Sequence, residues 1–201
     1  MKINRYRYPE SSFLSVDKDM DIIIGWMLKD KNLEKLLYYT TPDALKKPDL
    51  TEEQIVDLVN TNIRRIPKLY IDGSVLNYVI ISFDKFTPST NPQYRDNLIT
   101  FDIICHFDQW ELLDNQLRPY RIAAQIDTLF NNRHLTGIGV TNFMGASQIL
   151  LNDEFAGLSL VYEVVHGGED KYGMPNPADQ QQFVDDFNQL FNPEEFPESG
   201  T

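Results

Sequence analysis

Three histidines, His106, His134 and His166, and a single cysteine, Cys105, are the residues of this chain best suited to metal binding or nucleophilic chemistry. His106 and His166 fall near the ends of strand-like segments, so they could approach each other, with Asp102 or Asp108 as a candidate third ligand. No two of these residues share a tight metal-ligand spacing, and the plain reading is ordinary strand-end histidines. Cys105 and His106 are neighbours on a predicted strand and so point to opposite faces, which places a Cys–His nucleophile pair poorly. Cys105 shares parity with Phe101 and Ile103 and is expected to be a small core residue. Asp108, Glu111 and Asp114 gather around Trp110. Paired carboxylates do acid–base work in glycoside hydrolysis, yet after a strand such a group is more often a solvated turn and helix cap. Gly137 and Gly139 (TGIGV) precede a strand rather than joining strand to helix, so they mark a turn and not a dinucleotide fingerprint. Arg64, Arg65 and Lys68 form a short basic patch that reads as a helix C-terminus. With no Walker motif, serine elbow or zinc knuckle, the expectation is a non-enzymatic protein with no catalytic, cofactor or metal site.

The elements that would position these residues follow from hydrophobic period. Met20, Ile23, Ile24, Met27 and Leu28 recur at helical spacing over 17–30, with Asp17 as a cap. A second helical stretch runs from Leu33 to Tyr39 and stops before Pro42. Residues 41–50 read as a loop. Thr51-Glu52-Glu53-Gln54 is a capping-box pattern that opens a helix carrying Ile55, Leu58 and Val59 and ending before Pro67. The period then changes. Residues 76–86 and 97–107 read as strands joined by a long hairpin loop, TPSTNPQYRD. In the second of them Ile99, Phe101, Ile103, Cys105 and Phe107 lie on one face, and Leu98, Thr100, Asp102, Ile104 and His106 on the other. Residues 115–132 form the strongest helix, capped by Asp114 or Asn115, with Pro119 in the first turn and Ile122, Ala123, Ile126, Leu129 and Phe130 as its core stripe. Strands at 140–151 and 157–166 follow, joined by the acidic turn NDEFAG.

The fold class is therefore α+β. A four-stranded, mostly antiparallel sheet in ββαββ order is packed by a central helix, with an N-terminal helical region and an extended acidic C-terminal tail. Three segments are expected: an arm and helices over 1–75, a core domain over 76–166, and a tail over 167–201 that is partly disordered or ordered by a partner. The first residues (MKINRYRYPESSF) carry Lys2, Arg5 and Arg7 among Tyr6, Tyr8 and Phe13, and read as an extended arm: either a frayed terminus or, given so much aromatic area, an arm that docks on a neighbouring subunit. Within the tail, Asp179 to Phe191 could make an amphipathic helix using Phe183, Phe187, Leu190 and Phe191.

The chain has 201 residues, 18 Lys+Arg against 30 Asp+Glu, and a net charge of −12. Such a surface repels a phosphate backbone and disfavours specific nucleic-acid binding. One cysteine allows no intramolecular disulfide, which fits a reducing compartment. The N-terminus lacks the apolar core of a signal peptide, and no apolar stretch approaches the ~20 residues of a membrane span.

The order of parts over 76–166 resembles the tail terminator and neck proteins of tailed bacteriophages. A strand pair ends in FDIICHFDQWEL, where Phe107, Asp108 and Trp110 lead into the helix RPYRIAAQIDTLFNN. A glycine-bearing linker and two strands follow, the last being LSLVYEVVHG. The resemblance implies a structural protein of the virion, assembled in the host cytoplasm. It would form a homo-oligomeric ring, usually hexameric, that ends the tail tube and joins tail to head as tail terminator or head–tail connector. Tail-tube and portal-side proteins would be its partners, and DNA would pass through its lumen without sequence-specific contact. A ring needs two different surfaces on each subunit. The candidates are Tyr6, Tyr8 and Phe13 of the arm, Tyr94 and Arg95 of the 87–97 loop, and Phe183 and Phe187 of the tail. The helical region of about 75 residues and the acidic tail depart from simpler members of that family. The alternative from another class is a non-catalytic adaptor or assembly-chaperone-like protein that binds through its acidic tail.

Overall fold

A computed structural model describes residues 16–65, 77–88, 94–135 and 138–167. Three helices open this part of the chain. In α1 (Val16–Met27), Met20, Ile23, Ile24 and Met27 are buried, as their spacing requires. In α2 (Lys31–Tyr38), Asp30 caps the start: its Oδ1 accepts from the Asn32 and Leu33 amides at 2.8 and 3.0 Å. Residues Ala44–Lys46 make one 3-10 turn. The capping box at Thr51 and Gln54 opens α3 (Glu52–Thr61), as its sequence predicts.

Among the described residues the sheet has six strands, not four: β1 (Ile63–Arg64), β2 (Asn77–Pro88), β3 (Tyr94–His106), β4 (Arg133–Leu135), β5 (Gly139–Leu150) and β6 (Phe155–Gly167). Their order is β1-β2-β3-β6-β5-β4. The two added strands are a two-residue parallel contact at one edge and a three-residue antiparallel one at the other. Pieces so short carry no hydrophobic period. Arg64 lies in β1, just past the end of α3, and its guanidinium donates to the Asn60 carbonyl in the last turn of that helix at 3.2 Å, as a cation at a helix C-terminus does. Strands β2, β3, β6 and β5 are the long ones, paired antiparallel with one another in that order.

The helix α4 (Arg118–Phe130) crosses one face of this sheet. Its cap is Leu117, which offers no side-chain bond. Asp114 and Asn115 sit one turn earlier, with φ of 63° and 57°, and so cannot cap it. Ile122, Ile126 and Phe130 are fully buried, while Ala123 and Leu129 are partly so. Phe130 packs on Phe101 at 4.9 Å between rings, the Tyr162 hydroxyl donates to Asp127 at 3.0 Å, and the Thr141 hydroxyl donates to the Phe130 carbonyl. Helices α1 to α3 share one apolar core with α4 and the inner face of the sheet. A second buried cluster, Tyr78, Ile80, Ile104 and Phe155, lies on the opposite face. Ile104 is thus buried on the face expected to be the wetter one. Phe107, expected to continue the core face of β3, instead begins a 3-10 turn and is 44% exposed.

Arg118, the first residue of α4, is wholly buried. Its Nε donates to the Gln109 carbonyl at 2.7 Å, one terminal nitrogen to Leu36 and Tyr39 at 2.7 Å, and the other to Thr41 at 2.8 Å. Burial lowers its pKa from the usual guanidinium value. The carbonyls it gathers include those left open at the C-terminal end of α2, where a cation is favoured.

Candidate subunit interface

The register separates the residues that sequence spacing offered for metal chemistry. His106 pairs with Phe155, whereas His166 pairs with Arg95, so the two histidines stand at opposite ends of the β3–β6 ladder and do not meet. Asp102 instead accepts from the Ser159 hydroxyl at 2.6 Å. His106 Nδ1 accepts from the Asp108 amide at 3.2 Å and its ring stands edge-on to Phe155 at 5.1 Å. Cys105 is fully buried, and desolvation raises its thiol pKa to about 12. Asp108, Glu111 and Asp114 are all exposed. Trp110 at their centre donates through Nε1 to the Cys105 carbonyl at 3.2 Å. Gly139 lies in β5 with φ 93°. Arg65 makes an ion pair with Asp21 of α1 at 2.6 Å. Among the described residues no group of three or more His, Cys, Asp or Glu could hold a metal ion.

Of the contact residues that sequence reasoning named, Tyr6, Tyr8, Phe13, Phe183 and Phe187 lie outside the described residues. Tyr94 and Arg95 are not in a loop: they open β3, paired with Gly167 and His166 of β6.

The geometry brings forward a different element. Strand β4 covers only Gly139, Val140 and Thr141 of β5. Beyond them, among the described residues, the far side of β5 over 142–150 has no strand partner. One amide at its start is satisfied, since the Asn131 side chain accepts from Phe143 N–H at 3.3 Å. The side chains here are uncharged, and several large apolar ones are wet: Phe143 is 42% exposed, Met144 59% and Leu150 78%. Opposite, at the other edge of the long sheet, β1 covers only Val79 and Ile80 of β2. The rest of β2 bulges between Asp84 and Thr87, with Lys85 at φ 55°.

These two edges are unlike. A bulge and a lysine are devices that keep an edge from pairing with another chain. Strand β5 has a bulge too, between Phe143 and Gly145, but no charge. From Leu135 to Asn152 the chain carries no Asp, Glu, Lys or Arg, in a protein where 24% of residues are charged. That gap in the charge pattern is the sequence signal that marks β5. An uncharged open strand is a template for pairing with another chain.

A family model described as YomW matches residues 30–164, more than half of the chain. No curated protein matches. A solved structure titled "Virion of native gene transfer agent (GTA) particle" contains a chain similar to this one at 11% identity. The likeness covers 73% of this chain and 92% of that chain, with a TM-score of 0.47.

Proposed function

The chain belongs to the YomW family, and from that premise we propose that it is a structural protein of a tailed-phage type of virion, placed at the head–tail junction. Its work is assembly rather than chemistry. Copies join in a closed ring, hexameric in the simplest case, which ends the tail tube and meets the portal side of the head. The observation that carries this reading is the uncharged, partnerless edge of β5 over 142–150, set against a differently built edge at β2. A ring closes only through head-to-tail contacts between two different surfaces of each subunit, and the open edge of β5 serves as one of them, while the protected edge of β2 does not compete for it. The order of parts shared with phage neck proteins supports the same reading. The net charge of −12 suits a lumen through which DNA slides without being held.

The test is the mass of the purified full chain by light scattering and native mass spectrometry, alone and with tail-tube protein. Wild type is expected to form a closed ring of one size. Proline at Ala146, whose N–H points away from β6 on the open edge, should shift the population to monomer while leaving the circular dichroism spectrum unchanged. A wild-type chain that stays monomeric in both settings would refute the proposal.

A further inference from the structure

Around the turn that joins β5 to β6, exposed apolar side chains from three elements run together. Phe107 and Trp110 pack with their rings 5.8 Å apart and tilted by 51°. Glu111, next to Trp110, forms a bridge with Leu117, and Leu117 lies one turn before Tyr120 on α4. The Tyr120 hydroxyl accepts from Gln148 at 3.4 Å, and Gln148 shares a sheet face with Leu150. Phe107, Leu117 and Tyr120 are each more than 40% exposed. The rim of this strip is acidic: Asp108, Glu111, Asp114, Asp153 and Glu154 are all exposed. Arg121, one turn on from Leu117, is the cation that α4 brings near, while the Arg118 guanidinium is buried on backbone carbonyls. An apolar strip with an acidic rim calls for a partner that is aromatic and basic together.

The same chain holds such a segment. Residues 1–13 contain Lys2, Arg5 and Arg7 interleaved with Tyr6, Tyr8 and Phe13. In extended backbone Tyr6 and Tyr8 share one side and Arg5 and Arg7 the other, so the rings can lie on the strip while the guanidinium groups reach the rim carboxylates. We propose that this segment of one copy seats on the strip of a second copy.

Reach decides for a second copy over the chain's own strip. Val16 and Met20, at the start of α1, line one open cleft with Ser82, Asp84 and Phe86 of β2. Ser82 is level with Thr100 on β3. From Thr100 to His106, beside the strip, is about 20 Å along the strand, before any step across the sheet. Phe13 lies at most about 10 Å from Val16 and cannot reach the strip of its own copy. Tyr8, eight residues before Val16, spans at most about 28 Å and would need a nearly straight chain.

This proposal rests on the oligomeric reading above, and the test separates the two. The photo-crosslinking amino acid p-benzoylphenylalanine replaces Tyr8 in the full chain, and equal amounts of nitrogen-15-labelled and unlabelled protein are mixed and irradiated. The expected product joins residue 8 of one isotope to a peptide containing Tyr120 or Leu150 of the other. Arg5→Glu with Arg7→Glu should cut its yield about tenfold, the effect of two exposed charge pairs removed together, and Asp108→Lys with Glu111→Lys should restore it. Crosslinks exclusively within one isotope after the two populations have exchanged subunits, or to other peptides while native mass spectrometry still shows a ring, would overturn the arm and leave the ring standing. A sample without association would overturn both.

Discussion

Replacing Arg118 with methionine should destabilise the protein by about 3–4 kcal/mol. Methionine matches much of the stem and keeps helix propensity, so the change isolates the guanidinium. Two effects oppose each other. Removing the cation returns its desolvation cost, since it is buried without a carboxylate partner. It also strips the donor from the carbonyls of Gln109, Leu36, Tyr39 and Thr41. Each carbonyl left bare costs roughly 1–3 kcal/mol, so the four together outweigh the several kcal/mol returned by the lost charge. Lysine at 118 should cost less, about 2 kcal/mol, because it keeps the charge but concentrates its donors at one point and cannot serve the spread of acceptors. Urea denaturation followed by tryptophan fluorescence reads both. A methionine variant within about 1 kcal/mol of wild type, at unchanged m-value, would refute the claim that these bonds hold α2 to α4.

Two further predictions concern the fold. Glu34 is buried beside Lys31, whose Nζ lies 3.1 Å away, and desolvation raises its carboxyl pKa above 4.5. Because the folded state binds the proton more tightly than the unfolded one, this group's contribution to stability falls as pH rises from about 4.5 through its folded pKa. Glu34→Gln should flatten the stability profile across that window, and a profile unchanged from wild type would contradict the assignment. Gly157 sits against the carbonyl of Ile103, where a Cβ would overlap backbone. Gly157→Ala should therefore lower stability by roughly 2–4 kcal/mol, measured as a drop in Tm.

Much of this architecture is legible before any coordinates. Period-3.6 spacing places α1 and α4, and Thr51 with Gln54 marks the start of α3 because a capping box is a local chemical event. Alternation from Ile99 to Cys105 fixes which face of β3 meets the helices. What escapes is nonlocal or too brief to repeat. Two residues at Ile63–Arg64 and three at Arg133–Leu135 have no period, so their pairing depends on neighbours far along the chain. His106 and His166 look close because both end strands, but antiparallel pairing of β3 with β6 puts them at opposite ends. Asp114 and Asn115 have the composition of caps, yet their left-handed backbone spends them on a turn. The open edge is visible in the sequence as an absence of charge from Leu135 to Asn152, although only the strand order shows that it faces outward.

The bulge at Met144 has a bearing on how this strand can change length. Phe143 and Gly145 oppose consecutive residues of β6, Tyr162 and Val161, so Met144 has no counterpart across the ladder. Deleting it leaves every pairing on either side in place and removes only a bend. Deleting a residue between 146 and 149 would instead turn the remainder of the strand over, sending Leu150 to the other side of the sheet. Related chains can therefore lose a residue here and keep their inner packing, while the angle of the outermost strand is altered.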